Sequence, residues 1–74
     1  MNESNDLEAS AGLFDGAADE LELAARHCRT AAGHFREQEV PRGAAHAWAA
    51  LGHVLNAQER LKRQARMHAG NSNP

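Results

Sequence analysis

The chain contains no tyrosine, no isoleucine and only two valines, with two phenylalanines and one tryptophan as its whole aromatic complement. Strands are built largely from β-branched and aromatic residues, so this shortage excludes a sheet-based fold. The single Cys28 excludes an internal disulfide and points to a reducing, cytoplasmic setting. No apolar run approaches the ~20 residues that a membrane span requires. The opening Met1-Asn2-Glu3-Ser4 has no signal-peptide pattern, which again fits the cytoplasm. A formal charge of −2 gives no general reason to expect a nucleic acid or a membrane as partner.

Alanine fills the space. Sixteen of the 74 residues are alanine, a side chain that favours helix but buries little area. Helices should therefore form more readily than they adhere, at a size where a lone core is marginal. Charge is segregated as well. Residues 1–25 hold seven acids and no Lys or Arg, and residues 26–74 hold eight bases and three acids, a pattern that favours closure of one end on the other.

The expected fold is all-α, an antiparallel helical hairpin. Asn5 and Glu8 resemble a capping box for a short helix over about 6–13, so residues 1–15 are read as a mobile segment or a short helix. Asp15-Gly16 reads as a break. A first long helix over about 17–38 carries Leu21, Ala24, Ala25, Cys28, Ala31, Ala32 and Phe35 at helical spacing. Pro41 ends it and opens a second helix over about 41–68, stopped by Gly70 and followed by a polar tail. The stripe expected there is Ala44, Ala47, Trp48, Leu51, Val54, Leu55, Leu61 and Ala65.

An antiparallel register sets Phe35 against Ala44, Ala31 against Trp48 and Cys28 against Leu51, small facing large. It also brings Asp19, Glu20 and Glu22 near Arg60 and Lys62. An indole so placed should lose ~3–5 kcal/mol on Trp48→Ala. Gly52, beside the stripe, suits a close approach of helices, whereas Gly33 falls on the outer face.

Trp48-x-x-Leu51-Gly52-x-x-Leu55 resembles the first-helix signature of a tetratricopeptide repeat, W-x2-L-G-x2-Y, with Leu55 in the tyrosine position. Ala31-x3-Phe35 followed by Pro41 is similar to the end of a preceding repeat, so the resemblance spans about 31–55. It implies that Trp48, Leu51 and Gly52 are packing positions, in a family that binds peptides and proteins without catalysing reactions. Gln64 and His68 depart from the pattern of the second helix. An alanine-rich hairpin that reached the same packing independently is the other reading.

Five histidines raise the question of metal. In the antiparallel register His34 lies level with His46, and His27 with His53, and four imidazoles could bind zinc or nickel. Helical azimuths turn His46 and His53 away from the expected seam, so no metal site and no cofactor is expected. Cys28 beside His27 does not form a nucleophile pair, because adjacent helical residues point roughly 100° apart. No carboxylate pair is set up for acid–base catalysis. The reading is a non-enzymatic interaction module, adaptor or subunit, forming a homodimer as a four-helix bundle or docking an unidentified protein. Leu21, Cys28, Phe35, Trp48, Leu51, Gly52, Leu55 and Leu61 are its core or interface. The alternatives are metal binding by the histidines and nucleic-acid binding by the basic stretch from Arg60 to Arg66.

Overall fold

The structure, a computed structural model, describes residues 3–71. Two helices account for it: α1 over Glu3–Arg36 and α2 over Val40–Asn71. They pack antiparallel in an outline of 54 × 21 × 12 Å. Twelve ångströms is the diameter of one helix with its side chains, so the hairpin is a single layer with both broad faces uncovered.

The expected break at Asp15-Gly16 does not occur, and the expected 6–13 helix is simply the start of α1. An internal glycine costs only about 1 kcal/mol relative to alanine, too little to interrupt a helix supported along its length by a neighbour. Asn5 lies inside the helix rather than at its cap, and Gly70 does not stop α2. The expected mobile start and polar tail lie partly in Met1, Asn2 and residues 72–74, outside the described residues.

The turn is the best-defined local feature. Gln38 N–H donates to the Phe35 carbonyl at 3.0 Å and Glu39 N–H to the His34 carbonyl at 2.8 Å. Between them Gln38 takes φ of 62°. This pair of bonds around a left-handed residue is the Schellman termination, usually built with glycine. Pro41 follows in the first turn of α2, where a missing N–H costs nothing.

The seam repeats every seven residues. Ala17, Ala24 and Ala31 of α1 are buried against Gly43, Ala50 and Ala57 of α2. Half-buried Leu13, Glu20, His27 and His34 alternate with the α1 alanines, and His46, His53, Arg60 and Met67 with their α2 counterparts. Spacings of three and four make this a two-stranded antiparallel coiled coil, with small residues in one layer and mostly polar ones in the other. Every buried side-chain nitrogen or oxygen among the described residues has a partner.

The expected stripe is thus corrected. His27 is beside His53 and His34 beside His46, as anticipated, but α2 is turned by about one residue, roughly 100°, so that Gly43, His46, Ala50 and His53 face α1 in place of Ala44, Ala47, Leu51 and Val54. Small side chains let two backbones come close, and large ones in a lone two-helix seam would hold them apart. Two glycines make room for a side chain of the other helix. A Cβ on Gly43 would meet the Phe35 ring at 2.7 Å, and one on Gly16 would meet Arg60 at 2.8 Å. Gly52, expected at a close approach, has nothing within 4 Å, and nor does Gly33.

Candidate functional site

Two features remain once the seam is accounted for: a ladder of histidines within it and an uncharged face beside it.

The ladder is made by the polar layer. His27 Nδ1 and His46 Nδ1 are 3.0 Å apart across the seam, so one ring donates its N–H and the other accepts. His53 stacks on His27 at 5.4 Å between centroids, and His34 on His46 at 5.3 Å. The rings therefore run His34, His46, His27, His53 without interruption. Carboxylates close both ends. His53 Nδ1–H donates to Glu20 Oε2 at 2.6 Å, and His34 Nδ1 lies 3.7 Å from Glu39 Oε2. The azimuth expected for His46 and His53, pointing away from the hairpin, is corrected by the same rotation that exposes Leu51.

Glu20 is the hub of the far end. It accepts from His53, accepts from Asn56 Nδ2 at 3.4 Å, and lies 3.7 Å from Arg60. Its carboxyl is held below the ordinary glutamate range, chiefly by the His53 hydrogen bond. Partial desolvation opposes the shift, and Asn56 and the charges of His53 and Arg60 add to it. Of the expected pairings of acidic and basic ends, Glu20 with Arg60 is present, and Lys62 instead pairs along its own helix with Glu59 at 3.6 Å.

The uncharged face follows from stepping one residue past the seam. On α1, Leu7, Phe14, Leu21, Cys28 and Phe35 recur every seven residues with alanines between them. On α2, Val40, Ala47, Val54 and Leu61 do the same, interleaved with Ala44, Leu51, Gln58 and Ala65. One step turns each helix by about 100° in its own right-handed sense, and because the axes are antiparallel both stripes arrive on the same side of the hairpin. No Asp, Glu, Lys or Arg interrupts either. The large members are all exposed, from 41% at Leu61 to 66% at Leu7.

Each residue expected in the core or interface can now be placed. Leu21, Cys28, Phe35, Leu51 and Leu61 belong to the uncharged face and are exposed within the hairpin. Trp48 and Leu55 lie further round, opposite the α2 seam, and Trp48 at 73% is the most exposed large apolar side chain. The pairing of Trp48 with Ala31 and of Cys28 with Leu51 does not form. Trp48→Ala therefore has no buried indole to lose within one hairpin. Gly52, also exposed, sits on the outer surface of α2. The seam alanines Ala17, Ala50 and Ala57 were missed, although their seven-residue recurrence was a visible signal.

No helix among the described residues is long and apolar enough to cross a membrane. Compared with known protein families, curated proteins and solved structures, the chain matches none.

Proposed function

We propose that this chain is a non-enzymatic assembly module whose uncharged face closes on that of a second copy, giving a four-helix bundle. One observation carries the reading: a continuous face without a formal charge lies open on a hairpin only one helix thick. Monomeric proteins rarely expose apolar patches larger than a few hundred Å². The 54 × 21 Å outline of the hairpin caps the projected area of such a face at roughly 1,100 Å², room enough for the ~800 Å² that each partner contributes to a standard interface. Like faces meet around a two-fold axis, the commonest symmetry of homodimers. In such a bundle each helix has two neighbours, and its two stripes, about 100° apart, are both used.

Sedimentation over a range of chain concentrations tests this. A dimer at micromolar concentration is expected, and a stably folded monomer at the highest concentration overturns it. The basic end of α2 offers less for a nucleic-acid reading, because Arg60 and Lys62 already face Glu20 and Glu59.

A further inference from the structure

The histidine ladder plays no part in that assembly. Each ring lies three residues after a small seam residue (Ala24, Ala31, Gly43 or Ala50), on the flank turned away from Leu21 and Leu51. It opens instead on the opposite flank, beside Leu23, Arg26, Thr30, Ala49 and Asn56, and the side chains of His34 and His53 remain 24% and 27% accessible.

The geometry points to a binding site for a divalent transition-metal ion of the class imidazole favours (zinc, nickel or copper), nucleated by His27 and His46 and completed by His34 or His53. Two nitrogens at right angles and each about 2.0–2.1 Å from one ion are about 2.9 Å apart, and in a tetrahedron about 3.3 Å. The observed 3.0 Å between the two Nδ1 atoms falls within that span. An ion replaces the shared hydrogen: the donor ring takes its other neutral tautomer, with the hydrogen on Nε2, and both Nδ1 lone pairs become available. No net proton is released while both rings are neutral, and acid competes with the ion.

The outer rings supply the second observation. A metal-ligating histidine characteristically gives its other ring N–H to a carboxylate. His53 does so to Glu20 at 2.6 Å, and His34 has Glu39 at 3.7 Å. His53 can thus keep its proton on Nδ1 and present Nε2 as a ligand, whereas Glu39 is hydrogen-bonded by Arg42 at 2.9 Å and leaves the His34 tautomer free. Among the described residues no three such side chains already surround one point. The ion is therefore first held by the central pair, and rotation of an outer ring adds the third ligand, water filling the rest. Binding ties α1 to α2.

Zinc chloride or nickel chloride, titrated calorimetrically into the full chain near neutral pH, tests the assignment alongside thermal melts. Saturable binding with a rise in Tm is expected. H27Q and H46Q, each removing a direct ligand, should weaken binding by more than the about 10–100-fold that loss of a ligand's own partner costs, and E20Q, acting through His53, should weaken it by about tenfold; H68Q, outside the ladder, should have no effect. Because a seam variant can disturb folding, the unaltered chain provides a second reading: imidazole NMR signals of His27 and His46 should move on zinc addition while those of His68 stay. No heat and no Tm change, or ring signals of His27 and His46 that ignore the ion, would falsify the site and leave the ladder as packing alone. Neither outcome depends on whether the chain dimerises.

Discussion

Each helix carries two stripes of the same seven-residue period, one residue apart, and the hairpin uses only one. On α1 the stripe through Ala17, Ala24 and Ala31 packs inward, and the stripe through Phe14, Leu21 and Phe35 stays outside. On α2 Ala50 and Ala57 go in, and Leu51, Val54 and Leu61 stay out. The most hydrophobic residues are thus not those that hold the pair together. Alanine lets two backbones close up but buries little; leucine and phenylalanine bury much more, provided several helices surround them. The inner stripe makes a hairpin, and the outer one is the face on which the proposed association rests.

The comparison breaks most visibly on the outer stripe. Leu21→Glu combined with Leu51→Glu places unpaired charge in the proposed interface, where it costs several kcal/mol. Self-association should weaken by at least ~100-fold, read by sedimentation, with helicity retained by circular dichroism. Unchanged association would remove the face from the interface. On the inner stripe, Ala57→Leu overfills a position that is 1% exposed. It should lower stability by ~1–3 kcal/mol in urea denaturation, and an unmoved midpoint would mean that the seam is not tightly packed.

Glycines sharpen the contrast at a smaller scale. Gly52→Ala meets open space and should stabilise the chain by about 1 kcal/mol. Gly43→Ala, confronted by the Phe35 ring at 2.7 Å, should show no such gain. At the turn, Gln38→Gly relieves a left-handed side chain at φ 62° and should add ~0.5–1 kcal/mol. All three are read from denaturation midpoints.

The smallest expected effect is a pH dependence. The Glu20 carboxyl sits below its ordinary range because His53 hydrogen-bonds it. A depressed carboxylate contributes stability above its unfolded pKa and loses it as pH falls through the lower folded value. Glu20→Gln should flatten the acid side of the stability profile in that window, and a profile identical to that of the unaltered chain would show that the bond adds nothing.

Much of the architecture was legible in the residues. Alanine-rich helical periodicity and Pro41 announced two helices and one turn, and the charge segregation anticipated Glu20 beside Arg60. The axial level of the histidines was also readable, because a short connection leaves little freedom of register. The rotation of α2 was not. Hydrophobicity singles out Trp48, Leu51 and Leu55, and the seven-residue recurrence of Ala50 and Ala57, with two imidazoles between and beside them, does not by itself say which stripe makes the closer seam. Without that rotation His46 and His53 point outward and the ladder does not exist.

The residues alone determined that the chain is helical, that it turns near Pro41 and that its ends attract, since these depend on propensity, local sterics and charge order. Only the tertiary structure decided which of two equivalent stripes faces inward. That choice rests on how closely two backbones can approach over Ala24, Ala31, Gly43 and Ala50, a property of both helices together that neither stretch carries by itself.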